Sequence, residues 1–316
     1  MSITYYLNLL FAVMLPMALL IVAGAWWRRS LGESGVRAVR GYISTITINL
    51  FAPALLFAAA ASAKISTELL SVPMLMTIGI IGGGAGLYLL LYHTVLGRNL
   101  AAPSRAGLLL CGMFGNVLFM GYPLLHYLYG DQGGRYAAFA DMGASTPLLW
   151  SLGVAIAVHL GGQVQQPTNP VKTWLLLPPV WAFLAGVALS LTGWSMTPII
   201  HAAQLIGQPT VPIMLLMLGL SIPWRRLAPN RAILMVVLFK LLLLPLLVWL
   251  VSRYSLGALR PAQIAAVFES GVPTMLIALS LADRYQLDVE TVALTIAWTT
   301  LLFLITLPVW LLVLFK

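Results

Sequence analysis

The chain has 316 residues, of which 61% are hydrophobic and only 8% are charged, and its mean hydropathy is +0.97. A soluble domain carries about 25% charged residues, so this composition excludes an ordinary soluble fold. The net charge of +9 is compatible with nucleic acid, anionic lipid or an anionic substrate as the partner. The positions of the charges decide among these partners.

Apolar stretches of about 20 residues, each long enough to cross a hydrocarbon core, fill almost the whole chain. Hydropathy predicts an all-α polytopic membrane protein with ten spans, whose ends are marked by glycines, prolines and charged residues. The predicted ranges are 7–27, 40–62, 73–96, 106–129, 136–160, 174–192, 198–221, 231–252, 262–282 and 290–315. A polar linker at 161–173 divides the chain into halves of five spans each, 1–160 and 174–316.

The basic residues indicate which way the spans run. With the chain starting outside, eleven lysines and arginines fall on the inner side and five on the outer side. The inner set is Arg28, Arg29, Arg37, Arg40, Arg98, Arg105, Lys172, Arg225, Arg226, Arg231 and Arg284, and the outer set is Lys64, Arg135, Arg253, Arg260 and Lys316. The positive-inside rule therefore predicts both termini outside. The basic surplus reflects topology, which argues against a nucleic-acid partner.

The two halves of the chain share a pattern of prolines. The second span contains NLFAPALLF (49–57) and the seventh contains QPTVPIMLL (208–216), so that Asn49 and Gln208 each stand four residues before a proline. The fourth span contains FGNVLFMGYP (114–123), which matches FESGVP (268–273) in the ninth. The fifth and tenth spans also correspond, through DMGASTP (141–147) and AWTTLLFLITLP (297–308).

An offset of five spans is odd, so the two halves are predicted to be inverted relative to each other. Proline in a helix frees the carbonyl four residues earlier, and in lipid that group needs a polar partner or a cavity. Matching interruptions in inverted halves are typical of secondary transporters. We therefore predict that Asn116, Gly121 and Pro123 break the fourth helix, with half-helices starting near 121–124 and 271–274. The alternative is a set of proline kinks that only shape packing.

At these residues the chain resembles the auxin efflux carrier family of membrane transporters. The pattern G-N-x-x-F-x-G-x-P-L is present as Gly115, Asn116, Phe119, Gly121, Pro123 and Leu124. The sequence Glu-Ser-x-x-Pro-Thr (269–274) and the closing LITLPVWLLVL (304–314) are also similar to that family.

The resemblance implies a ten-helix fold of the wider bile acid, arsenite and riboflavin transporter superfamily, in which helices 4 and 9 cross where they break. It implies a scaffold of spans 1, 2, 6 and 7, often dimeric, and a transport domain of spans 3–5 and 8–10 that moves like an elevator. Plant members export auxin, and bacterial relatives include malate and malonate carriers. The short central loop is more similar to the bacterial members.

Ionisable residues inside a span are candidates for function because burying a charge is costly. Glu269 is the clearest candidate: it is either a ligand for Na⁺, as in the related sodium symporters, or a proton carrier. The alternative is that Glu269 only caps a broken helix. Asn116, Asp141, Ser145 and Thr146 are predicted to supply further oxygens for the cation. Asp141 is alternatively a residue that reaches the outer interface.

An anionic substrate is favoured by the partial positive charge of half-helix N-termini. The predicted substrate-binding residues are Asn49, Asn116, Gly121, Pro123, Gln208, Gly271, Pro273 and Thr274. Lys240 is a cation within the eighth span, and the sequence leaves open whether it neutralises Glu269, binds substrate or lies near an interface.

These features predict a secondary carrier for a small organic anion, a carboxylate such as an auxin-like acid, malate or malonate, coupled to Na⁺ or H⁺ and needing no other cofactor. An uncoupled uniporter driven by membrane potential is the alternative. The motifs HExxH, GxSxG and GxGD are absent from the sequence, which argues against an intramembrane enzyme. A channel is a further class, disfavoured by the inverted repeat. The expected location is the bacterial inner membrane, as a homodimer surrounded by lipid.

Overall fold

The computed structural model describes residues 8, 10–161, 169–194, 196–224, 228–256 and 259–315. The start of the first predicted span at Leu7, most of the predicted linker (162–168), and the basic residues Arg225, Arg226 and Lys316 lie outside the described residues. Within the described residues the protein is entirely helical and forms no strand, which confirms the all-α prediction.

We number fifteen helices along the described chain. The uninterrupted helices are α4 (Val95–Arg98), α5 (Ala102–Met113), α8 (Pro170–Leu175), α9 (Pro178–Thr192), α10 (Thr197–Gly207), α11 (Thr210–Ser221), α13 (Pro261–Ser270), α14 (Ile277–Arg284) and α15 (Val289–Leu314). The others contain wider, π-helical turns and are α1 (10–30), α2 (33–61), α3 (67–93), α6 (117–129), α7 (131–160) and α12 (231–256).

The π-helical turns mostly precede prolines. Thr47–Phe51 comes before Pro53 in α2, and Val117–Gly121 comes before Pro123 in α6. Asp141–Ser145 comes likewise before Pro147 in α7. Proline lacks an N–H and its ring clashes with the carbonyl four residues earlier. A turn with five-residue spacing moves that carbonyl away, so these helices continue through their prolines.

Seven helices of the described chain are long and apolar enough to cross a membrane. They are Phe11–Ser30, Ser34–Ala61, Thr67–His93, Asp131–Leu160, Thr197–Ser221, Arg231–Ser255 and Val289–Leu314, of which the fifth joins α10 and α11 through the turn at 208–209. The sixth predicted span is the shorter apolar helix α9, and the fourth and ninth are each divided into two helices. The ten-span inverted repeat stays a prediction.

One set of helices packs through glycines. Gly24 of α1 lies so close to α11 that an added Cβ would overlap the Leu216 carbonyl oxygen, and Gly219 of α11 lies equally close to the Ile21 carbonyl oxygen. An added Cβ at Gly186 of α9 would lie only 2.6 Å from the Phe57 carbonyl oxygen in α2. Small residues permit this close approach in membrane helices. We call α1, α2, α9, α10 and α11 the glycine-packed bundle.

The other helices surround α5 and α13. Helix α5 packs against α7, α12 and α15, and α13 packs against α3, α7 and α12. The side chains at these contacts are fully buried: Leu108, Phe114 and Val267 each have 0% exposure. We call α3, α5–α7 and α12–α15 the junction bundle. It meets the glycine-packed bundle where α6 contacts α1 and α11 and where α7 contacts α2.

Candidate functional site

The two divided helices meet at their interruptions. Helix α5 ends at Met113 and α6 begins at Val117, while α13 ends at Ser270 and α14 begins at Ile277. The intervening segments, 114–116 and 271–276, form an antiparallel bridge between Gly115 and Thr274. The Asn116 N–H donates to the Pro273 carbonyl (2.7 Å), and the Met275 N–H donates to the Phe114 carbonyl (3.1 Å). We call these two segments the junction; each satisfies backbone groups that the other exposes.

Side chains complete the junction. The Thr274 hydroxyl donates to the Cys111 carbonyl at the end of α5 (2.8 Å), and the Thr274 N–H donates to the Thr299 hydroxyl of α15 (3.2 Å). The Lys240 ammonium donates to the Ser270 carbonyl at the end of α13 (2.9 Å). The end of α5 is thereby capped by the 271–276 segment and the end of α13 by a side chain from α12, as buried helix ends in a membrane protein require.

The predicted starts of the half-helices hold only in part: the α-helical turns of α6 begin at Tyr122, within the predicted 121–124, but a π-helical turn precedes them, and α14 begins three residues after the predicted 271–274. Helix α6 begins at Val117, so Pro123 lies inside it rather than at its start, and α14 begins at Ile277, after Pro273. The Tyr122 N–H bonds the Val117 carbonyl, five residues back, and this π-helical turn accommodates Pro123. The interruption therefore lies at 114–116, which includes Gly115 and Asn116.

Three charged side chains are buried around the junction. Glu269 is 0% exposed, Lys240 is 1% exposed and Asp141 is 6% exposed. Glu269 interacts electrostatically with both of the others. Asp141 lies ten residues into α7 and accepts a hydrogen bond from the Thr146 hydroxyl (3.2 Å), so it does not reach an interface as one interpretation of the sequence had it. Buried charges without full pairing are typical of functional sites in membrane proteins.

Among the described residues, the buried oxygens at this cluster are incompletely paired. Neither carboxylate oxygen of Glu269 has a hydrogen-bond partner, and the Ser145 hydroxyl has none. No group of three His, Cys, Asp or Glu side chains converges anywhere in the described chain. A cation at this place would therefore depend on Glu269 and on neighbouring hydroxyl and carbonyl oxygens, which are ligands that hard cations accept.

Glycines make room for the charges. An added Cβ at Gly115 would lie 2.9 Å from the Lys240 Nζ, and one at Gly121 would overlap the Glu269 carboxylate. Gly115 and Gly121 both belong to the G-N-x-x-F-x-G pattern. This use of the pattern was not evident from the sequence, which indicated a broken helix and gave no partner for either glycine.

A cavity of about 610 Å³ lies between the two bundles. Its walls come from α1, α2, α6, the first residue of α7, and the adjoining ends of α10 and α11 with the turn between them. They include Val13, Met17, Leu20, Leu55, Tyr122, Pro123, His126, Tyr127, Asp131, Gln204, Gln208, Val211 and Pro212. A mostly apolar wall with a few polar groups is typical of a small-molecule site.

The predicted substrate residues divide among three places. Pro123 and Gln208 line the cavity. Asn116, Gly271, Pro273 and Thr274 are buried at the junction, and Gly121 lies against Glu269. Asn49 is exposed and donates to the Thr45 carbonyl of its own helix (2.8 Å), away from the cavity wall.

Sequence reasoning missed the polar wall of the cavity. The rings of Tyr122 and His126 stack with centroids 5.7 Å apart, and the His126 Nδ1 lies 3.9 Å from an Asp131 carboxylate oxygen. The sequence patterns gave His126 no role. Its position four residues after Tyr122, on the same face of the helix that carries Pro123, was the available signal.

Comparisons with known proteins identify a transporter family. A family model described as membrane transport protein matches residues 9–311. An uncharacterised transporter of Methanothermobacter thermautotrophicus is 30% identical over 275 residues, which covers 85% of this chain and 87% of that protein. An uncharacterised transporter of Methanocaldococcus jannaschii is 24% identical over 248 residues, covering 77% and 78% of the two chains.

Proposed function

The chain belongs to the membrane transport protein family, the auxin efflux carrier family that its motifs resemble, and from that premise we propose that it is a secondary active transporter of a small organic anion. It is an integral membrane protein, and its family consists of transporters rather than enzymes. The proposal concerns the substrate class, the coupling and the mechanism.

The observation that carries the proposal is the position of Glu269. Its carboxylate is fully buried, lacks hydrogen-bond partners among the described residues, and lies against Gly121. The next two residues of α6, Tyr122 and Pro123, line the cavity. A change in the charge or ligation of Glu269 therefore acts directly on the backbone that supports the cavity wall. This connection supports coupling of a cation, H⁺ or Na⁺, to substrate binding.

The chemistry of the cavity supports a small organic anion as the substrate. Gln204 and Gln208 provide amide donors on one side, and Tyr122 and His126 provide donors and ring faces on the other. Apolar residues such as Val13 and Met17 fill much of the remaining wall, which suits the hydrocarbon part of a carboxylic acid. The Asp131 carboxylate on the cavity wall repels negative charge on a substrate, and it repels a substrate with two carboxylates more than one with a single carboxylate. The cavity therefore favours a monocarboxylate over a dicarboxylate such as malate.

The arrangement of the two bundles supports elevator-type alternating access. The glycine-packed bundle serves as scaffold, and the junction bundle, which holds Glu269 and α6, moves against it with the cavity between them. In this proposal spans 4 and 9 cross at the junction. The scaffold forms a homodimer in a bacterial inner membrane, and both ends of the chain lie outside, as the basic residues indicate.

Transport into proteoliposomes tests the proposal. The purified protein is reconstituted and offered labelled indole-3-acetate or labelled malate, with imposed H⁺ or Na⁺ gradients. We expect saturable uptake of at least one acid that an ion gradient drives above equilibrium, and loss of that accumulation, at least tenfold, in Glu269→Gln. Ser270→Ala is the control for the neighbouring position.

Each other result has a defined meaning. Saturable flux that Glu269→Gln leaves unaltered, and that follows membrane potential alone, identifies the uncoupled uniporter. Ohmic single-channel currents identify a channel. Absence of flux for every carboxylate tested rejects the substrate class.

A further inference from the structure

Lys240 reaches the junction from outside it. It lies in the π-helical turn Phe239–Leu243 of α12, is 1% exposed, and donates to the Ser270 carbonyl at 2.9 Å. The last carbonyl groups of a helix carry partial negative charge, so a cation at the end of α13 is favourably placed.

The same ammonium group also lies against the other interrupted segment. An added Cβ at Gly115 would be 2.9 Å from the Lys240 Nζ and 3.4 Å from its Cε. One side-chain charge therefore lies beside both interrupted segments, at the end of α13 and at Gly115, and acts electrostatically on Glu269. The ammonium group donates no hydrogen bond to the Glu269 carboxylate, so it acts on that group through space while it links the end of α13 to the segment at Gly115.

Four main-chain oxygens around the junction already accept hydrogen bonds. At the junction the Cys111, Phe114 and Pro273 carbonyls accept hydrogen bonds from Thr274, Met275 and Asn116 respectively. The Ser270 carbonyl accepts from Lys240. A hard cation needs several oxygen ligands at once, and each of these carbonyls already uses one of its two lone pairs in a hydrogen bond, which makes it a poorer ligand for a cation.

The charge of Lys240 also opposes a second cation. Two like charges about 5 Å apart, at an effective dielectric constant of about 20, repel strongly enough to weaken binding on the order of a hundredfold. Within the described chain, the charged groups that act on Glu269 are Asp141 from α7 and Lys240 from α12, while α6 meets it through Gly121.

We propose that Lys240 is a built-in cation that takes the place of Na⁺ at the junction, so that the protein does not bind Na⁺ there. Lys240 is thus a determinant of ion specificity. This inference rests on the proposed function, for which it leaves H⁺ as the coupling ion.

Sodium binding to the purified protein tests the inference without a substrate. The melting temperature is followed by tryptophan fluorescence in NaCl and in choline chloride of equal ionic strength, since a ligand of the folded state raises it. We expect no sodium-specific stabilisation of the wild type or of Lys240→Arg. We expect Lys240→Met, which keeps the length of the side chain and removes its charge, to gain stabilisation that increases with Na⁺ concentration. Lys240→Met combined with Glu269→Gln should lose that gain.

Two results overturn the inference. One is sodium-specific, saturable stabilisation of the wild type that Glu269→Gln abolishes. The other is a folded Lys240→Met that ignores Na⁺. If Lys240→Met does not fold, equilibrium binding of ²²Na⁺ to the wild type decides: saturable binding contradicts the inference, and absence of binding supports it.

The outcomes for the two proposals are distinguishable. A wild type that binds Na⁺ and accumulates a carboxylate with a sodium gradient retains the proposed function and loses the inference. A wild type that neither binds Na⁺ nor moves any carboxylate rejects the proposed function and leaves the ion specificity of the junction as inferred.

Discussion

Glycines at the α1–α11 contact and glycines at the junction serve different purposes. Gly24 and Gly219 lie against main-chain carbonyl oxygens of the facing helix, whereas Gly115 and Gly121 lie against the ends of the Lys240 and Glu269 side chains. Backbone atoms of a packed helix cannot move individually, but a side-chain end can rotate away. The first pair therefore fixes the distance between two helices, and the second pair makes room for charges on which function depends.

The largest expected effect is that of Gly219→Ala. The added methyl group overlaps the Ile21 carbonyl oxygen and approaches the Ala25 nitrogen at 3.0 Å, so α1 and α11 must separate. Overpacking of this kind costs about 1–3 kcal/mol, and the rigid backbone places this site at the upper end. Thermal unfolding in detergent measures it. Gly86→Ala, where an added Cβ meets nothing within 4 Å, is the matched control and should stabilise α3 by up to about 1 kcal/mol.

Gly121→Ala sharpens the comparison, because its stability cost should be smaller and its functional cost larger. The Glu269 carboxylate has to rotate away, for about 1–2 kcal/mol, and ion-driven accumulation should fall at least tenfold. Truncating the carboxylate removes the overlap, so Glu269→Ala in the Gly121→Ala background should recover melting temperature but not accumulation. Equal destabilisation by Gly121→Ala and Gly219→Ala would refute the distinction between the two glycine pairs.

Asp288 links the start of α5 to the start of α15, at the ends of these helices that lie away from the junction. Its carboxylate accepts from the Ser104 hydroxyl of α5 (2.7 Å) and from the Thr291 N–H (3.0 Å) at the start of α15. Loss of such an N-cap costs about 1 kcal/mol, which we expect for Asp288→Ala at pH 7.

The contribution of Asp288 should depend on pH. Partial burial alone would raise its pKa, but the hydrogen bonds from Thr291, Ser104 and the Glu290 N–H outweigh burial, so that the pKa is lowered from the usual 3.8. The stabilisation is complete above the unfolded pKa and is lost as the pH falls through the folded pKa. The difference in melting temperature between wild type and Asp288→Ala should therefore shrink between pH 5 and pH 3; a constant difference would contradict the assignment.

The smallest stability effects are expected at the two amides that the sequence pairs. Gln208 lines the cavity, whereas Asn49 is exposed and bonds its own helix. Exposed substitutions of this kind change stability by within about 0.5 kcal/mol. Gln208→Ala should raise KM severalfold at similar melting temperature, and Asn49→Ala should leave both unchanged. A larger transport defect in Asn49→Ala would restore the symmetrical site that the sequence predicts.

The sequence predicts much of the fold for a simple reason. Membrane spans must satisfy their own backbone groups and bury about 20 apolar residues, so length and hydropathy locate helices directly. The family also follows from local residues, since the 115–124 pattern and the 269–274 pattern are contiguous in the chain, and the family model confirms it.

The exact place of the helix interruptions was not predictable in the same way. Pro123 marks the neighbourhood of the interruption, but a π-helical turn accommodates it and the break falls at 114–116. That outcome depends on Thr274, Met275 and Pro273, which lie more than 150 residues further along the chain and satisfy the freed backbone groups.

The sequence by itself determined that this protein is a helical membrane protein of a transporter family, with Glu269 as an acid in an apolar segment, because the hydrocarbon core restricts which residues a span tolerates. Only the tertiary structure decided that Lys240 lies beside both interrupted segments, that Gly115 and Gly121 face charges, and that Gln208 but not Asn49 lines the cavity. The physical reason is that each of these contacts joins distant parts of the chain, and its geometry depends on packing that no local pattern records.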